Sequence, residues 1–170
     1  MIWYIVWLRP FKLLYLITLN MSKRLNIKIS TSDLPKAFTI SNKWMNESRA
    51  KDHHWEAHGY VAVTSRYSFY WKQYNDIYND IDIHWGLTFS ESLADCKEHF
   101  PHVYEEYLKQ PWTHDNDAVR IFGFDTAHWW DNPVDWSKDA VERETAYLQK
   151  QMLQFYVPTQ EQIAEAESED

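Results

Sequence analysis

Apolar and polar positions alternate most regularly between Asp80 and Phe89. The odd positions are Ile81, Ile83, Trp85, Leu87 and Phe89; the even ones are Asp80, Asp82, His84, Gly86 and Thr88. Successive side chains of a strand point to opposite faces. The pattern therefore predicts a strand whose odd set enters the core and whose even set lines a polar face or a cavity. Val119–Asp125 is apolar on both faces, which predicts a central strand covered on two sides. It runs into a polar cluster of Asp125, Thr126, His128 and Asp131.

Weaker patterns fill in the rest. Leu25–Ile29 alternates and reads as a short strand, Thr31–Pro35 as a turn, and Gly59–Thr64 as a β-rich strand. Lys36–Asp52 is polar and reads as loop or weak helix, with Trp44 and Met45 as contacts to the body. The spacing of Tyr70, Tyr74, Ile77 and Tyr78 predicts a short helix within Phe69–Asp80. Helical character returns around Leu93–Cys96 and over Val103–Leu108, with Pro101 in the first turn of the second piece.

The longest predicted helix runs from Asp135 to about Phe155. Asp135 or Asn132 would cap it, and Val141, Thr145, Leu148 and Met152 form its buried stripe. Strand, strand, helices, strand, helix is the order of an α+β domain. The expected architecture is a small, mostly antiparallel sheet with the long C-terminal helix packed on one face. Residues 21–157 form that domain, and residues 158–170 follow as an acidic, flexible tail.

Residues 1–20 are an apolar extension divided by Arg9, Pro10 and Lys12. A spanning helix needs about 20 largely uncharged residues, so a membrane span is argued against. Translation from Met21 and an interfacial anchor remain as alternatives, and only a retained anchor would bring the chain to a membrane.

Composition narrows the function classes. Aromatics make up 17% of the 170 residues, with ten Trp, so large buried rings can stabilise a core with few aliphatics. The net charge of −8 has the wrong sign for neutralising phosphates, which argues against a nucleic-acid partner. The single cysteine, Cys96, excludes an intrachain disulfide and multi-thiolate zinc sites, and fits a reducing compartment.

Each of the three glycines, Gly59, Gly86 and Gly123, falls in a predicted strand. Strand glycine marks a bulge or a close approach to the backbone. Two readings stand: the floor of a binding groove, or small residues set opposite large rings.

The candidate chemistry gathers at His84, Gly86, Thr88, Asp125, His128 and Asp131, with Glu144 further out. Two His and a carboxylate can hold a metal or form an acid–base site, and the same residues can simply cap turns. A metal centre, a metal-free ligand or catalytic site, and a structural network all stay open. His54 and His58 share the i, i+4 spacing of a zinc helix, but Glu56 is out of place for a protease and the segment reads as a polar loop. Trp129, Trp130 and Trp136 suit either stacking or packing. No Gly-rich phosphate loop or nucleophile elbow is present, and no cofactor is identified.

Gly59–Val63, Tyr67–Tyr70, His84–Thr88, Gly123–His128 with Asp131, and Glu144 with Leu148 and Gln151 occur in a telling order. Together they resemble a family of small uncharacterised proteins found largely in bacteriophages and prophages. Its pattern runs Gly-Tyr-Val-x-Val, a His-Pro-x-Tyr-Gly-like stretch, His-Gly-Gly-Leu-Thr, Gly-Phe-Asp-x-Ala-His-x-x-Asp, then Glu-x-x-x-Leu-x-x-Gln. The likeness covers roughly residues 58–152. This chain departs from it at Arg66-Tyr67, where the family has His-Pro, and at Trp85, where it has glycine; a Trp there would narrow or close a groove.

The resemblance implies a viral accessory protein in the host-cell cytoplasm and supplies no reaction. Two functions are carried forward. One is binding, of a nucleotide-like polar small molecule or of a host protein held by an acidic, Trp-rich face. The other is a small hydrolase, with or without metal assistance, using His84 or His128 as general base with Asp125 orienting it.

Overall fold

The computed structural model describes residues 27–41, 57–112, 118–126 and 136–168. Four strands, β1 (Lys36–Ser41), β2 (Ala57–Thr64), β3 (Phe89–Ser92) and β4 (Val119–Phe124), form one antiparallel sheet in the order β1-β2-β4-β3. Among the described residues there are four helices, α1 (Leu93–His99), α2 (Pro101–Leu108), α3 (Lys138–Met152) and α4 (Gln160–Ser168). The domain is therefore α+β, with an antiparallel sheet and a long C-terminal helix.

β4 is the central strand that its composition predicts. All six of its residues are buried, and it pairs with β2 on one side and β3 on the other. Alternation divides it between two layers. Val119 and Ile121 join Tyr60 and Ala62 of β2, Phe38 and Ile40 of β1, Leu93 and Cys96 of α1, and Val103 and Tyr107 of α2 in one cluster. On the other face α3 lies along β1 and β2. Its stripe of Val141, Thr145, Leu148 and Met152 is fully buried, as its spacing requires. Burying side chains of this size contributes roughly 1.5–3 kcal/mol each.

Local signals fix the helix starts. The Ser92 hydroxyl accepts the Asp95 N–H to cap α1, and Pro101 occupies the first turn of α2. α3 starts from Ser137, whose hydroxyl accepts the Ala140 N–H, and not from Asn132 or Asp135. Those two residues lie outside the described ones, as do Trp44, Met45, His54, Trp129, Trp130 and residues 1–20.

Several expectations are corrected. Lys36–Ser41 is a strand, because its whole length pairs with Ala57–Ala62 of β2. Ile27–Ile29 has no strand structure. Phe69–Asp80 is a series of turns with one 3-10 turn at Tyr74–Asp76, since Asn75, Asp76, Asn79 and Asp80 favour turns over helix. The strand expected over Asp80–Phe89 begins only at Phe89. Ile81 and Ile83 are buried and Asp82 is exposed as the alternation requires, but a turn at His84-Trp85 then reverses the chain and leaves Trp85 outside.

The described residues divide into two compact units, one within Thr31–Tyr156 and a second made of residues 27–30 with residues 157–168. The second, where the acidic tail was expected, holds α4. Its start is a capping box: the Thr159 N–H donates to Gln162 Oε1, and the Gln162 N–H donates to Thr159 Oγ1. Gln162 Nε2 also donates to the Lys28 carbonyl at 3.0 Å. Among the described residues no helix is long and apolar enough to cross a membrane.

Candidate functional site

The loop from Ile81 to Thr88 is held against α3 by side chains of that helix. Gln151, buried at the sheet-facing side of α3, accepts the Asp82 N–H through Oε1 (2.8 Å) and donates through Nε2 to the Asp82 carbonyl (2.6 Å). Two helical turns earlier, on the same side of α3, Glu144 Oε1 accepts the His84 N–H at 3.1 Å. A backbone gripped by a packed helix at two points is a rigid support.

On this support sits a β-turn closed by the Gly86 N–H donating to the Ile83 carbonyl at 2.8 Å. His84 and Trp85 are its corner residues. Trp85 has φ +53 and Gly86 φ +85. Glycine reaches this left-handed region freely, whereas a side chain there crowds the following carbonyl at a cost of about 1–2 kcal/mol. Trp85 nevertheless holds the position with 54% of its surface exposed.

Other rings surround the turn. The His84 imidazole lies 4.0 Å from the Trp136 ring, centroid to centroid, and 6.0 Å from that of Trp85. The Tyr78 ring covers Gly86 so closely that a Cβ on that glycine would collide with it. Tyr78 is itself 54% exposed. Tyr78, Trp85, His84 and Trp136 thus frame one aromatic surface at the edge of α3. The Thr88 N–H ties the end of the loop to the Gly123 carbonyl of β4 at 2.9 Å, leaving the Thr88 side chain exposed.

Asp125 follows Phe124 at the end of β4. The alternation that turns Phe124 toward Thr145 of α3 turns Asp125 toward the α1–α2 face. There burial, and after it the Asp125 carboxylate, raises the Tyr60 phenol, while at His58 the same carboxylate works against the effect of burial. Burial outweighs it at His58 and holds that imidazole below its ordinary value, with His102 of α2 lowering it further. Thr126 Oγ1 donates to the Ala57 carbonyl at 3.3 Å, closing the end of the β2–β4 pair.

The structure thus sets His84, Gly86 and Thr88 in one loop beside α3, and Asp125 beside His58 on the other face. His128 and Asp131 lie outside the described residues. His58 is part of β2, not of a polar loop; its signal in the sequence was its place directly before Gly59 and the β-rich run. Among the described residues no three His, Cys, Asp or Glu side chains gather to hold a metal ion.

The glycines are settled in favour of packing. Gly59 leaves room for the Thr145 hydroxyl and the Phe124 ring, Gly123 for the Tyr60 ring, and Gly86 for Tyr78. Compared with known proteins, the chain matches no family model, no curated protein and no solved structure.

Proposed function

We propose that this chain acts by binding a polar small molecule with a planar, nucleotide-like group, and that Trp85 is the surface on which that group stacks. The observation that carries the reading is the left-handed, half-exposed Trp85 at φ +53. A large aromatic residue kept in a glycine conformation costs stability and covers little of the core, and backbone strain of this kind concentrates at binding sites. Indole stacks on planar rings of many kinds. The His84 imidazole and the exposed Thr88 hydroxyl lie in the same loop and supply polar contacts. The phage-type setting and a host-cytoplasmic location belong to the same proposal and rest on the resemblance of the motifs alone.

Trp85→Gly tests the reading because it separates strain from binding. The substitution introduces the glycine that the resembled motif carries at this position and relieves the turn. It is expected to raise the melting temperature of the free protein and to remove the stabilisation that nucleosides or nucleotides give the wild type by mass action. Two results would sink the proposal: a wild type that no member of a nucleoside and nucleotide panel stabilises in a saturable way, or a Trp85→Gly variant that binds as tightly as the wild type.

A further inference from the structure

Arg120 is a cation inside the protein. It lies on β4, on the face opposite the α1–α2 layer, with only 9% of its surface open to solvent. Its side chain runs along the strand, placing the guanidinium carbon 5.8 Å from the centre of the Phe122 ring. Nη2 donates to the Ser90 carbonyl of the edge strand β3 at 3.1 Å. Nε is buried with no hydrogen-bond partner, and among the described residues no carboxylate forms an ion pair with the guanidinium. A charge taken out of water without a counter-charge is strongly unfavourable, and one carbonyl and one ring face recover only part of the loss.

The segment Phe69–Tyr74 roofs this corner. The Phe69 ring packs edge-on against Phe122 at 5.2 Å. At the other end Ser90 Oγ accepts the Tyr74 N–H at 2.8 Å and donates to Gln73 Oε1 at 3.0 Å. The roof therefore rests on Phe122 and Ser90, the two residues that the guanidinium itself touches. Tyr70 lies in this roof, and the Arg120 charge reaches its phenol, lowering a pKa that burial raises. Trp71, packed edge-on against Tyr70 at 4.7 Å, projects outward with 82% of its surface exposed.

We propose that Arg120 is the centre of a second binding site, which takes the oxyanion end of a small molecule between the guanidinium and the Tyr70 hydroxyl, with Trp71 at its mouth. The guanidinium fork matches a phosphoryl or carboxylate group in two-point contact and supplies the missing counter-charge. A small anion enters the corner despite the net negative charge because the attraction is local and unscreened by water. The site lies near the start of β4, away from the Trp85 turn beyond its end, so the two stand or fall separately.

The test uses the full chain with inorganic phosphate and acetate as probes, each compared with chloride at matched ionic strength. The wild type is expected to show a saturable rise in melting temperature and a broadened phosphorus resonance for phosphate. A rise with phosphate alone identifies a phosphoryl group as the source; an equal rise with acetate identifies a carboxylate. Arg120→Leu is expected to lose about ten-fold or more in anion affinity while the free protein melts at the same temperature or higher. Tyr70→Phe, which keeps the ring, is expected to weaken phosphate binding without unfolding the chain, and stands in if Arg120→Leu does not fold. A wild type that melts alike in phosphate, acetate and chloride overturns the proposal. So does a folded Arg120→Leu, or in its absence a Tyr70→Phe, that responds to phosphate as the wild type does.

Discussion

The hydroxyl of Thr145 and the backbone of Gly59 meet across the interface of α3 and β2 with no room for a methyl group between them. Thr145 is held there by its own hydrogen bond, Oγ1 donating to the Val141 carbonyl at 2.6 Å, and the Phe124 ring closes the same space. Gly59→Ala therefore forces the helix off the sheet. A loss of about 3 kcal/mol in unfolding free energy is expected, at the upper end of ordinary overpacking. Adding Thr145→Ala returns part of it. Urea denaturation of the two single variants and the double variant measures the coupling, and strict additivity would mean that the two residues do not share the space.

Gln151 holds the loop of the Trp85 turn through two bonds to one residue, Asp82. Gln151→Ala removes both and leaves the Asp82 N–H and carbonyl to water, for a loss of about 1–3 kcal/mol. Hydrogen exchange at the Asp82 amide should accelerate well before that of the β4 amides. Affinity for any ligand stacked on Trp85 should fall with it, although Trp85 itself is untouched.

His58 makes stability depend on pH in a defined direction. Burial lowers its pKa, Asp125 works against the shift and His102 adds to it. The folded state keeps the imidazole neutral while the unfolded chain takes up a proton near the ordinary value of 6.5. The stabilising contribution is thus complete above that value and is lost as pH falls toward the folded pKa. His58→Gln should flatten this part of the profile. Unfolding free energies measured from about pH 7.5 down to about 5.5 would show it, and an unchanged slope in the variant would remove His58 from the account.

Cys96 is fully buried between α1 and the sheet. Burial, followed by the carboxylates of Glu91 and Asp95, pushes its thiol up to about 12, with Arg120 acting weakly in the other direction. Thiolate is the reactive form, so alkylation near pH 8 is expected to track unfolding of the chain and to be negligible in the native state. Labelling in rising urea should follow the loss of circular dichroism. Rapid modification of native protein would contradict this placement.

What could be read from the sequence was whatever depended on local periodicity alone. Val119–Phe124 showed itself as a central strand because no side chain along it favours water except Arg120. The stripe of α3 showed itself because four residues at helical spacing are apolar or small. β1 did not, because Lys36–Ser41 is half polar and is a strand through its pairing with β2, a partner distant in the chain. The turn at Trp85 was hidden for a related reason. Alternation is preserved on either side of it, and a tryptophan gives no sign of a left-handed backbone. Asp125 was legible as a polar residue at a strand end. His58 beside it, and His102 acting on His58, were not, because strand register and helix packing bring them there.

The strand that lies between β2 and β3 is the last of the four to be made. Until Phe124 has left the ribosome, the Gly59–Thr64 edge of β2 and the Phe89–Ser92 edge of β3 have no mate. Both carry hydrogen-bonding groups that a neighbouring nascent chain could satisfy instead. Pairing across so long a loop is also slow. The interval between synthesis of Ser92 and of Phe124 is therefore when this molecule is most exposed to aggregation, and β4 ends that interval by closing both edges at once.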